Sequence, residues 1–183
     1  MSVDALLLID LQEDFFSPPE LARRRPGLVS AVWQWTEIAE TAGADVIEVR
    51  TEVPDDPAAW ALNMREDRQP VALEGTPGSR RLDELSGLRV TDTVTKRRDD
   101  AFVGTDLAHL LRAHGVEQIV IAGVSTEACI ALTAAGAYAR DLRVRIAGGA
   151  VASADEGAHE AALRWLEQQY RQSVSDSASH ALT

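Results

Sequence analysis

Short apolar runs alternating with amphipathic stretches constrain this chain more than any other feature. ALLLID (5–10) and QIVIAGV (118–124) have strand length and almost no polar face. Such strands must be covered on both sides. ADVIEVR (44–50), VTDTVTK (90–96, with β-branched alternation) and RVRIAGG (143–149) read as three more. QSVSDS (172–177) is a candidate last strand. Between them lie helical stretches. In 27–43, after Pro26, Leu28, Val32, Trp35, Ala39 and Ala42 recur at helical spacing, and Gly43 ends the pattern. In 105–115, Leu107, Leu110, Leu111 and His114 share a face, with Thr105 as N-cap and Gly115 as stop. TEACIALTAAGAYAR (126–140) is a helix with Thr126 as its cap. SADE (153–156) has capping-box spacing and opens a helix to about Tyr170. This order predicts an α/β fold, a parallel sheet with helices on both faces. Residues 51–91 break the pattern with Pro54, Pro57, Pro70 and Pro77, and read as one long insertion with a short helix at 80–85.

The 183 residues suit one domain over 1–183. No run of eighteen apolar residues marks a membrane span. The first residues lack a basic leader, and the one cysteine cannot form an internal disulfide, so a cytoplasmic location is expected. A net charge of −11 disfavours nucleic acid and anionic membranes as partners.

Two chemically capable residues fall at the carboxyl rim of the predicted sheet, where open parallel sheets bind ligands. Asp10 ends the first strand, and Cys129 lies in the first turn after the fourth. Helix N-terminal N–H groups favour a thiolate and can hold an oxyanion. A nearby carboxylate can take the thiol proton, but it also raises the thiol pKa unless a cation compensates. Lys96, ending the third strand, is the candidate cation. Against this stands the commoner role of a free cysteine as a small buried hydrophobe, and of a lone lysine as a solvated charge.

LLLIDLQEDFF (6–16), GTPGS (75–79), VTKRRDDAF (94–102) and IAGVSTEACI (121–130), in this order, resemble the isochorismatase-like cysteine hydrolases, relatives of N-carbamoylsarcosine amidase and nicotinamidase. The resemblance implies a doubly wound, three-layer αβα fold around a six-stranded parallel sheet. It implies a triad of Asp10, Lys96 and Cys129, a cis peptide at Val124–Ser125, an oxyanion hole from the N–H groups of Ser125 and Cys129, and a homo-oligomer. Nicotinamidases of this family carry a histidine metal site after the second strand. The matching segment here, EVRTEVPDDPAAW (48–60), has no histidine, and the four histidines (109, 114, 159 and 180) come late. The expectation is therefore no metal and no cofactor. Isochorismatases proper cleave a vinyl ether and lack the nucleophilic cysteine. Cys129 thus favours hydrolysis of a C–N bond in a small amide, carbamoyl or ureido substrate. The alternatives are a vinyl-ether hydrolase using Asp10 and Lys96, or a non-catalytic binding domain.

Candidate substrate contacts are Phe15, Arg50, Trp60 and Phe102. The first and last follow the Asp10 and Lys96 motifs. Arg50 ends the second strand, as a carboxylate ligand or as a partner for Glu52. Trp60 sits in the insertion. His159 is read as structural, and Arg97–Asp100 as a solvated loop, with Arg97 or Arg98 as the alternative contact for an anionic substrate. Trp33 and Trp35, two apart on a helix, cannot face the same way, so one points inward.

Overall fold

The computed structural model describes residues 4–175. Six strands, β1 (Ala5–Ile9), β2 (Asp45–Thr51), β3 (Asp92–Lys96), β4 (Gln118–Val124), β5 (Arg143–Ala152) and β6 (Ser173–Ser175), form one parallel sheet in the order 3-2-1-4-5-6. The helices are α1 (Pro19–Ala42), α2 (Leu62–Asp67), α3 (Leu107–Ala113), α4 (Ala131–Tyr138) and α5 (Glu156–Tyr170). The chain winds from β1 towards β3, then returns to β4 beside β1 and winds the other way. The switch point therefore falls between β1 and β4.

The buried strands explain the layers. Along β1, Leu6 and Leu8 face α1 residues Leu28, Val32, Trp35 and Ala39. Ala5, Leu7 and Ile9 face the opposite layer, built from α3 (Leu107, Leu111), α4 (Ala131, Ala134, Ala137) and α5 (Leu166). Each fully buried Leu or Ile contributes roughly 1.5–3 kcal/mol by leaving water. The isolated apolar runs of the sequence are the residues shared by both layers. Trp35 is the inward tryptophan, and Trp33 is 40% exposed.

Several boundaries differ from the sequence reading. Helix α1 begins at Pro19 and carries Pro26 inside it. Proline suits a helix start, which made Pro26 look like one, but Pro19 holds that position. The turns before Pro26 are tied down where Arg25 meets Glu13 (2.7 Å) and Glu84 (2.5 Å). Helix α5 is capped by Asp155, whose carboxylate accepts from Ala158 N–H, and Ser153 instead accepts from Asp155 N–H. Asp106 is the N-cap residue of α3, where Thr105 was expected. Only Asp83–Leu85 is helical within 80–85, as a single 3-10 turn. Strand β6 lies at 173–175, and residues 176–177 of the expected strand fall outside the described residues, as does His180.

One buried charge sits in the α1 layer. Glu48, mid-strand in β2, is paired on both oxygens by Arg81 (2.7 and 2.8 Å), which also donates to Leu88 O at 3.2 Å. Removing the guanidinium leaves a carboxylate unpaired among Leu8, Leu85 and Leu88. Arg81→Ala is expected to cost about 3 kcal/mol, read as a fall in urea midpoint, and Glu48→Leu/Arg81→Leu to recover most of it.

Candidate active site

The first strand ends at the switch point with Asp10 in the left-handed region (φ 54°), a conformation costly for a non-glycine residue. This turn sends its carboxylate back over the rim. Oδ1 accepts from Thr51 N–H (3.0 Å) and Thr51 Oγ1–H (2.8 Å), at the end of β2. Gln12 braces the same point: its Oε1 accepts from Thr51 N–H (2.8 Å), and its Nε2 donates to Thr51 O (2.8 Å) and Ser79 O (2.7 Å).

Lys96 closes the arrangement. Strand β3 is the sheet edge, two strands from β1, yet the ammonium stands 2.8 Å from Asp10 Oδ2 and donates to Thr51 Oγ1 (2.9 Å) and Cys129 Sγ (3.3 Å). The side chain alone makes this reach, from the last strand residue, with Thr51 as a stepping point over β2. Asp10 and Lys96 are 0% and 1% exposed, and Cys129 is 5% exposed. Asp10 Oδ2 is buried and pairs with the ammonium.

The cysteine lies in a π-helical turn, Thr126–Ile130, that precedes α4. Ser125 heads this turn, and its carbonyl accepts from both Ala128 and Ile130 N–H (3.1 and 3.2 Å). The Val124–Ser125 peptide is cis. Thr126 does not cap the turn. It is fully buried, and its Oγ1 lies 2.8 Å from His159 Nδ1 on α5. Burial pushes the Cys129 thiol well above its usual pKa, and Asp10 adds to the rise, with Lys96 opposing. The raised pKa keeps the resting sulfur a protonated thiol. Burial works against the Lys96 charge, but Asp10 and the sulfur overcome it and hold its pKa above the ordinary lysine value. Asp10 and Cys129 thus meet at the Lys96 ammonium.

The other sequence candidates have contacts of their own. Phe102 is core, beneath Arg140, whose guanidinium carbon sits 4.5 Å above the ring. Phe15 is half-buried against the α1 layer. Arg50 pairs with Glu52 (2.8 Å) and donates to Ser79 O (2.8 Å), while its buried Nε has no partner. Trp60 is buried at 9% exposure, and its Nε1 donates to Pro54 O (2.9 Å), pinning the insertion. Three residues close to the site escaped sequence reasoning: Gln12, Thr51 and Asp99, whose Oδ1 lies 3.7 Å from Cys129 Sγ. Its place two residues after Asp10, within LLLIDLQEDFF, was the available signal for Gln12. Thr51 and Asp99 carried none. Among the described residues, no three His, Cys, Asp or Glu side chains gather as a metal-binding group. After β2, Glu52 is engaged by Arg50, and Asp56 caps Ala58 N–H.

A family model described as the isochorismatase domain matches residues 4–179. The chain belongs to the isochorismatase family. Within that family it is 30% identical over 178 residues to maleamate amidohydrolase of Pseudomonas putida, across 91% of this chain and 80% of that one. Its fold matches an isochorismatase family protein from Desulfovibrio vulgaris at TM-score 0.86 and 25% identity, over 98% of this chain and 97% of that chain. It matches N-carbamoylsarcosine amidase from Thermoplasma acidophilum at TM-score 0.79 and 25% identity, over 95% and 96% of the two chains. The three-layer isochorismatase-like fold expected from the sequence is the one observed.

Proposed function

We propose that this isochorismatase-family hydrolase cleaves the C–N bond of a small amide, carbamoyl or ureido compound through a thioester on Cys129. The observation that carries the reading is the Lys96 ammonium bridging Asp10 Oδ2 (2.8 Å) and Cys129 Sγ (3.3 Å) in a nearly closed site. Asp10 takes the thiol proton as sulfur adds to the carbonyl carbon. The N–H groups of Ser125 and Cys129 hold the oxyanion. Asp10 passes the proton to the leaving nitrogen, the C–N bond breaks, and ammonia or an amine departs. Water then attacks the thioester, giving its proton to Asp10. The C–S bond breaks, the sulfur regains a proton, and the acid is released. Lys96 holds Asp10 in place and offsets negative charge on sulfur. The cycle uses no metal or cofactor.

A panel of small amides, ureas and carbamoyl compounds, scored for ammonia release, tests the reading. Turnover that survives Cys129→Ala would favour a vinyl-ether or other thiol-independent hydrolase. Intact mass spectrometry of rapidly quenched enzyme should show one acyl adduct, absent in the same variant. We place the enzyme in the cytoplasm as a homo-oligomer, a reading supported by Tyr138 and Trp165, 51% and 42% exposed on α4 and α5. Light scattering at micromolar concentration checks the oligomer. No helix among the described residues is long and apolar enough to cross a membrane.

The raised thiol pKa gives a separate expectation. Thiolate absorbance at 240 nm, taken as wild type minus Cys129→Ala, should stay flat up to pH ~8.5, the ordinary cysteine value, and appear only above it. Because the folded pKa lies above the unfolded one, the thiol's contribution to stability is complete below the unfolded value and is lost as pH climbs through the folded one. A thiolate signal at neutral pH would contradict proton transfer to Asp10 within the catalytic step.

A further inference from the structure

Asp99 stands beside the sulfur and is open to solvent. It follows β3 in the loop that carries Arg97 and Arg98, and it is exposed, whereas Asp10 and Lys96 are sealed. Its Oδ1 lies 3.7 Å from Cys129 Sγ. The loop is fixed rather than free. Thr133 Oγ1, on α4, donates to Asp99 O (3.4 Å) and accepts from Ala101 N–H (3.0 Å). Asp100 accepts from Phe102 N–H (2.9 Å) and rests on Gly136, where a Cβ would come within 2.8 Å of its carboxylate. The glycine in α4 thus lets the loop dock against the nucleophile's helix.

The local charge has a sign. Asp10 and Lys96 cancel, and the resting thiol is neutral, so Asp99 adds a negative charge beside the sulfur. Among the described residues no cation pairs with it. Arg98 donates to Ala59 O (3.1 Å) and Arg97 O (2.6 Å), and Arg50 is held by Glu52. The chain as a whole carries −11.

We propose that Asp99 sets the charge preference of this site, selecting small amides whose acyl part carries a cation a few bonds from the scissile carbonyl and rejecting those that carry a carboxylate. The proposal rests on the C–N hydrolase reading for its substrate class. The charge preference at the thiol does not depend on that reading. An amide carbonyl over the sulfur places the next few atoms of the acyl chain beside Asp99. A unit charge at ~5 Å in a partly solvated mouth changes a rate or affinity by roughly tenfold in either direction.

Two measurements test it separately. The first uses a cationic and an anionic methanethiosulfonate, trimethylammonioethyl and sulfonatoethyl, as thiol probes on the full chain. Wild type should favour the cationic reagent, corrected for their rates with free cysteine, by about tenfold or more, and Asp99→Asn should narrow that ratio by roughly tenfold. Asp99→Glu should keep it. A corrected preference that survives Asp99→Asn, or a corrected wild-type ratio near one, overturns the proposal whatever the enzyme hydrolyses. The second compares kcat/KM for butanamide, 4-aminobutanamide and succinamate. Asp99→Asn should lower the 4-aminobutanamide-to-succinamate ratio by roughly tenfold or more. An equal fall on all three would make Asp99 part of the general machinery and overturn the proposed role. If the enzyme releases ammonia from none of the tested amides while the probe ratio holds, the C–N reading fails and the charge preference stands.

Discussion

Asp10→Asn is expected to lower kcat/KM on any accepted amide by roughly 10⁴-fold with the fold intact, a loss typical of removing one member of a catalytic triad. Asparagine keeps the shape, and its oxygen can still accept from Thr51, whose N–H and hydroxyl now donate to Asp10 Oδ1 at 3.0 and 2.8 Å. It cannot take the thiol proton. A control separates proton transfer from simple thiolate formation. Asp10 is one of the groups that raise the Cys129 pKa, so its neutral replacement beside Lys96 should lower that pKa and bring thiolate absorbance to lower pH. The variant should therefore hold more thiolate and work far more slowly. Activity that rose with the thiolate fraction would mean that Asp10 only tunes charge, and the proposed proton path would fall.

Gly123→Ala is expected to destabilise the fold by about 4 kcal/mol or more, measured as the urea midpoint with m unchanged. Gly123 pairs with Ile9 where β1 meets β4, and its φ of 126° is one that side chains rarely adopt. A Cβ there would lie 1.9 Å from Ile9 O and 2.7 Å from Ile9 C, both backbone atoms that cannot swing aside. The two strands would have to part just before Asp10 and Ser125, so activity should fall with stability. Gly27→Ala is the contrasting control. That glycine lies inside α1 with nothing within 4 Å of an added Cβ, so the change should stabilise by about 0.5–1 kcal/mol. A Gly123→Ala protein as stable as wild type would show that β1 and β4 tolerate separation at the switch point.

Much of the frame was readable from local pattern. Residues 5–10 and 118–124 are apolar on both faces, and such strands belong at the centre of a covered sheet, where β1 and β4 lie. Asp10 and Cys129 follow those strands directly, so their shared rim could be placed before any coordinates. The helix around Cys129 was foreseen, but its π-helical first turn was not, since one extra residue per turn leaves no mark in the apolar spacing. The start of α1 was misplaced because Pro26 resembles a helix opening when its exposed, charged preceding turn is read alone.

The amino-acid order by itself determined which segments are buried on both sides, and hence the class of sheet and the rim that Asp10 and Cys129 share. Burial of neighbouring residues along a strand or helix is a local property, and a sequence records it as periodicity. The folded chain alone decided how Lys96 reaches the sulfur from an edge strand over Thr51, how Gln12 ties Thr51 in place, and why Asp99 faces the thiol. Those contacts depend on strand order, on the reach of single side chains and on loop docking against Thr133 and Gly136. Residues brought together that way are separated by 30 to 45 positions in the chain, and no periodicity links them.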